Sequence, residues 1–205
     1  MQKNVYTLGT VAALAATLLM LSMSALAQEE RNQISIQGTG FFTKNTDGNG
    51  VHNTTTESGG LLLGYRHHMF GRFSAEANYG WSRNTQEFNG AAVGRVQSDI
   101  HQITGAAVVA LPRISKFQPF VLGGGGALVF DPTGNSGGTY AGASRQTRGA
   151  FLYGGGADYS LTSRLSIRTE YRGYVYKTAD FGVKSLNTDQ WTHTAQPSAG
   201  IVLKF

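Results

Sequence analysis

Arg168, Glu170 and Arg172 stand at every second position of one short segment, and Glu76 holds a comparable place in another. Alternate residues of an extended chain share a face, so these charges would line one surface together. The same parity adds Arg148 and Asp158, giving a candidate cluster of Glu76, Arg148, Asp158, Arg168, Glu170 and Arg172. Counted from the nearest short turns, Glu76, Arg168 and Glu170 fall at similar depth, roughly 15–20 Å along a tilted strand. A lone charge in a narrow interior costs several kcal/mol, so the cluster is expected to pair internally. Such a network either fills and rigidifies the interior or rearranges to open a narrow water path. By the first reading, Glu76→Ala strands a positive charge and loosens the structure.

Other chemistry is sparse. No cysteine is present, so disulfides, thiolate metal sites and a lipid-anchor cysteine are excluded. His67 and His68 are adjacent, which in a strand sends them to opposite faces, and no third metal ligand accompanies them. The run Gly123-Gly124-Gly125-Gly126 lacks the Lys-Ser/Thr that a phosphate-binding loop requires. It lies within an apolar segment bounded by Phe117, Phe120, Val129 and Phe130, where glycine permits bending or close backbone approach. With Gly154-Gly155-Gly156 on the next segment it is expected to form a small-residue stripe. No catalytic residue, metal or cofactor is expected.

The elements that must hold these residues are strands. Phe73, Ala75, Ala77, Tyr79 and Trp81 alternate with Arg72, Ser74, Glu76, Asn78, Gly80 and Ser82. Leu165, Ile167, Thr169, Tyr171, Gly173 and Val175 alternate likewise with Ser166, Arg168, Glu170, Arg172, Tyr174 and Tyr176. No segment sustains a helical period. Eight segments emerge, near 32–43, 56–67, 71–84, 96–111, 117–131, 146–160, 164–177 and 190–205. Their connections alternate between short, at 67–70, 112–116 and 161–163, and long and polar, near 44–55, 85–95, 132–145 and 178–189. Short turns at one end and long loops at the other are the pattern of an outer-membrane barrel.

The two chain ends agree with that address. Residues 1–27 carry Lys3, an apolar stretch from Val11 and a closing Ala25-Leu26-Ala27, the layout of a cleaved signal peptide. Cleavage would leave 28–205 as one barrel domain with a net charge of about +4, its basic residues too scattered for nucleic acid. No later apolar run could span a bilayer as a helix, so a membrane location requires a closed barrel. The chain ends on Ala199-Gly200-Ile201-Val202-Leu203-Lys204-Phe205, with Ile201, Leu203 and Phe205 sharing a face.

Leader, alternating segments, loop order, the Arg168-Thr169-Glu170-Tyr171-Arg172-Gly173-Tyr174 strand and the terminal aromatic together resemble the eight-stranded OmpA/OmpX-type outer-membrane barrels. The resemblance implies an all-β, eight-stranded antiparallel up-and-down transmembrane barrel, integral to the outer membrane and monomeric. It implies outer-membrane lipid and lipopolysaccharide as surroundings, and the barrel-assembly machinery as a partner reading Ile201, Leu203 and Phe205. The chain stops at the eighth strand, so the peptidoglycan-binding domain of longer relatives is not expected. The expected role is structural and surface-presenting, with a minor gated pore as a possible addition; any external ligand would fall to the four long loops. Aromatic belts are expected at Phe41, Phe42, Trp81, Phe88, Tyr140, Tyr174, Tyr176 and Trp191 on one side, and at Phe70, Phe73, Phe117, Tyr159 and Phe205 on the other.

Two alternatives stand beside this reading. Some barrels of this size modify lipid A, which would draw on His52, or on His193 with Thr192, Thr194 and Asp189, although Ala195 removes the His-x-Ser spacing. A soluble lipocalin-like barrel would place the apolar faces inside instead.

Overall fold

The computed structural model describes residues 31–90, 93–133 and 142–205. The expected leader at 1–27 lies outside the described residues. Ten strands follow in chain order: β1 Asn32–Thr43, β2 Thr46–Gly48, β3 Val51–Thr55, β4 Ser58–Phe70, β5 Phe73–Gly90, β6 Gly94–Ala110, β7 Phe117–Pro132, β8 Gln146–Ser160, β9 Leu165–Lys177 and β10 Trp191–Lys204. β1 pairs antiparallel with both β4 and β10, and every other long strand pairs with its chain neighbours. Eight strands therefore close an antiparallel up-and-down barrel, as the alternation predicts. The small strands β2 and β3 form a hairpin that continues the sheet on the outer end of β5.

Register fixes the dimensions. Paired residues run from His193 through Val175, Phe151, Gly125, Gly105, Ala77, Tyr65 and Ile34, and return to β10 at Leu203. The circuit comes back ten residues along the strand. With ordinary strand rise and spacing, that shear gives a tilt of about 40° and a backbone radius of about 8 Å. Such an interior has room for side chains and little else.

Side-chain parity decides which face is inside. Ile36, Leu61, Leu63, Tyr79, Ile103, Phe151, Ile167 and Ile201 are exposed on the outer wall, whereas Gln37, Glu76, Gln102, Arg168, Arg172 and Gln196 are buried within. A water-soluble binding barrel needs the reverse, so the lipocalin-like alternative fails on this distribution.

Several expected boundaries move. Residues 67–70 belong to β4, and the tight turn falls at Gly71-Arg72, with Gly71 at φ 55°. The expected loop at 85–95 is largely strand, because β5 runs to Gly90 and β6 starts at Gly94. The expected loop at 44–55 folds as the β2–β3 hairpin, whose Asn49-Gly50 tip has φ of 52° and 73°, both positive as a two-residue hairpin turn requires. Thr, Asn and Gln pair in a water-exposed ladder as readily as apolar residues do, so polarity alone marked loops where strands continue.

The aromatic belts are also corrected in part. Phe41, Phe88, Tyr174 and Tyr176 point inward and are almost wholly buried, while Phe42 and Trp191 face out. At the short-turn end Phe70, Phe73 and Phe117 are exposed, with Phe70 tilted against Phe73 at 5.3 Å and Phe117 against Tyr159 at 4.9 Å. Tyr140 lies outside the described residues.

Candidate functional site

The interior charges gather on four strands. Arg66 on β4 and Glu76 on β5 are direct cross-strand partners, as are Asp158 on β8 and Arg168 on β9. Arg66 Nε donates to Glu76 Oε2 at 2.5 Å, and Arg168 grips Asp158 with Nε at 2.6 Å and Nη2 at 2.8 Å. Arg172 Nε donates to Glu170 on its own strand, and its Nη2 crosses to Glu76 Oε1 at 2.5 Å on the opposite wall. Arg168 Nη1 lies 3.5 Å from Glu76 Oε2. The result is a balanced hexad of three carboxylates and three guanidiniums, all six buried. Phe120 stacks beneath it, its ring 4.2 Å from the Arg66 guanidinium carbon and 5.1 Å from that of Arg168.

Five of the six residues expected in the cluster are brought together: Glu76, Asp158, Arg168, Glu170 and Arg172. Arg148 is not among them. It sits toward the far end of β8 with a quarter of its side chain exposed, 3.3 Å from Asp180. Parity gives a residue's face and not its depth, which is why Arg148 misled. Arg66 takes its place, and alternation in Leu61, Leu63 and Tyr65 against Leu62, Gly64 and Arg66 was the available signal.

Glycine makes the space for this hexad. Gly154 and Gly156 stand opposite Arg172 and Glu170. A Cβ at Gly154 would collide with the Tyr171 carbonyl, and one at Gly156 with the Thr169 carbonyl and the Phe120 ring. The expected glycine stripe is staggered rather than level, since Gly123 pairs with Tyr153 and Gly154 with Leu122.

Beyond a band of Gln37, Gln102, Gln196 and Ser198, the other end of the lumen turns apolar. Phe88, Ile100, Leu128, Phe130, Tyr176, Phe181 and Leu186 form one buried cluster. Phe181 and Leu186 come from the 178–189 connection, a strap folded into the mouth with a short 3-10 turn at Lys184–Leu186. Phe181 meets Phe88 at 6.4 Å and Phe130 at 6.3 Å, both edge-on. Gln146 Oε1 accepts the Asp180 and Phe181 amides at 2.9 and 3.0 Å, and the Ser144 amide donates to the Phe181 carbonyl at 2.9 Å. Lys177 donates to Asp189 at 2.7 Å and holds that carboxyl below the usual carboxylate range. The long polar connection at 178–189 is thus a tethered stopper.

The profile of the outer membrane protein beta-barrel domain matches residues 13–205. The chain belongs to that family. It is an integral outer-membrane protein, and its outer apolar wall is the surface that meets lipid. Among solved structures, neisserial surface protein A superposes with a TM-score of 0.61 at 10% identity, covering 85% of this chain and 97% of that one. The outer membrane protein OprG from Pseudomonas aeruginosa gives 0.55 at 17% identity, covering 85% and 96%. No protein of curated function matches the sequence. Within this outer-membrane barrel Ile201 faces lipid, while Leu203 and Phe205 are half-buried at the short-turn end, where the Phe205 and Asn32 backbones exchange two hydrogen bonds of 2.9 Å.

His193 is not brought together with Thr192, Thr194 and Asp189 in this outer-membrane barrel. His193 faces outward and bonds Tyr153 Oη at 2.9 Å, whereas Thr192 and Thr194 point inward and Asp189 belongs to Lys177. His52 bonds Asp47 on the β2–β3 hairpin. His67 Nδ1 lies 2.8 Å from Asn32 Oδ1. Among the described residues no three groups converge as metal ligands.

Proposed function

We propose that the protein is a closed, surface-presenting barrel, whose interior charges are structural and whose outer rim makes the contacts. The observation that carries this reading is Phe181, lodged between Phe88 and Phe130 across the lumen. An apolar stopper above a charge-balanced hexad opposes a continuous wet path. The β2–β3 hairpin and the outer ends of β5 and β6 then form a raised platform on the exterior side. Recognition by that platform, and not solute flow, is the function this geometry supports best.

A gated pore is supported by one observation. Arg66 Nη2, Arg172 Nη1 and Glu170 Oε2 keep hydrogen-bonding capacity that no described residue takes up, capacity that buried water commonly fills. Conductance of the folded protein in a planar bilayer separates the two. Silence from protein shown to be folded supports the closed barrel. Discrete steps that change in Glu76→Gln or Arg168→Gln overturn it in favour of a pore.

A further inference from the structure

We infer that the short-turn end of the barrel carries a binding site for the phosphate of anionic phospholipid headgroups, centred on Arg113 and Lys116, with Arg164 next to the lining residue Ser163. The charge distribution is lopsided. At the external end Arg83 pairs with Asp99 at 2.6 Å, Arg95 with Glu87 at 3.8 Å and Lys177 with Asp189 at 2.7 Å, so cations and carboxylates offset one another. At the opposite end Arg72, Arg113, Lys116 and Arg164 are all exposed, and no acidic side chain is exposed there among the described residues. Glu76 and Asp158, the acidic side chains near that end, are buried in the hexad.

Depth selects the ligand. Arg72 falls in the turn between Phe70 and Phe73 in sequence, Lys116 precedes the exposed Phe117, and Arg113 adjoins the exposed Ile114. Rings of this kind settle at headgroup level, so the neighbouring cations sit in the phosphate layer of that leaflet, where anionic lipid attracts them. The turns are too short to project the charges further into the periplasm. Beside Arg113 and Lys116 opens a hollow of about 430 Å³, lined by those two with Lys204, Ser160, Thr162 and Ser163. Ser160 Oγ has no hydrogen-bond partner among the described residues. Three cations beside three hydroxyls suit a phosphodiester, with the exposed Leu161 at the rim for the start of an acyl chain.

The test is native mass spectrometry of the full chain folded in detergent, with phosphatidylglycerol and phosphatidylethanolamine in equal amount. The protein should retain phosphatidylglycerol preferentially. The Arg113→Gln/Lys116→Gln/Arg164→Gln variant, checked for folding by its heat-modifiable gel mobility, should lose that preference by about fivefold per cation removed. A control with Lys44→Gln, Arg95→Gln and Arg145→Gln at the external end should keep it. Equal retention of the two lipids, or equal loss in both variants, overturns the proposal. Displacement of the lipid by millimolar inorganic phosphate would assign the hollow to a soluble phosphate instead, and displacement by a peptidoglycan fragment would assign it to the cell wall. Either result also overturns it.

Discussion

At the scale of single residues, Glu76 carries the heaviest duty in the lumen, because it accepts from Arg66 and Arg172 while Arg168 stands nearby. Replacing it with alanine leaves buried guanidiniums without a counter-charge, and such losses cost about 3–5 kcal/mol. The urea midpoint of Glu76→Ala in detergent should fall accordingly, and an unchanged midpoint would remove the ion-pair account of the lumen. Glu76→Gln keeps an acceptor and should fall less. Arg148→Gln should lower the stability by no more than about 1 kcal/mol, since its partnership with Asp180 is partly hydrated. Arg168, Glu170 and Arg172 were legible as neighbours because alternation places them on one face without any long-range information. Their meeting with Glu76, 96 residues away from Arg172, needed the closure of the barrel. Arg66 stayed hidden because the apolar Leu62 shares its face and blurs the contrast that parity depends on.

Among the elements, the strap at 178–189 is the one that sequence described least well. Its Gly, Asn and Thr content reads as a free loop, yet Phe181 and Leu186 supply an apolar pair whose partners lie on β5, β6 and β7. Phe181 adopts φ 53°, a conformation costly for a bulky side chain. Burial against two rings offsets that cost. Phe181→Ala should therefore release the strap while leaving the barrel folded, and trypsin should then cut after Lys184 far faster than in the parent. Equal cleavage rates would mean that Phe181 does not hold the strap down. The Lys177–Asp189 contact adds a pH response. Asp189 titrates below its unfolded value, so its support is present above the ordinary aspartate range and fades as acid approaches the lowered value. Amide exchange in the strap, corrected for intrinsic rate, should rise only in that acidic window, and Asp189→Asn should abolish the rise. The strands themselves were readable from period-two alternation. Their outer ends were not, because polar residues that pair in water look like loop.

For the whole molecule, the decisive property is that the eight-stranded wall closes on itself without an edge. The β1–β10 seam joins the two ends of the chain through a register running from Gln33–Lys204 to Thr43–Thr194. Amide exchange across that seam should be as slow as in the middle of β7 or β9. A fast seam beside a slow remainder would mean that the cylinder breathes open there. Closure was foreseeable from the need to satisfy every backbone group in lipid, whereas the shear, and with it the radius, required the observed pairing. The hexad has one more consequence, for the order of events during assembly. The β4–β5 hairpin brings Arg66 together with Glu76, and the β8–β9 hairpin brings Asp158 and Glu170 together with Arg168 and Arg172. Each hairpin supplies the counter-ions for its own share of the hexad, so these buried groups travel past the acyl chains as neutral sets before the walls meet. The contacts that join the two hairpins, above all the bond from Arg172 to Glu76, must wait, and their formation marks the moment at which the cylinder shuts.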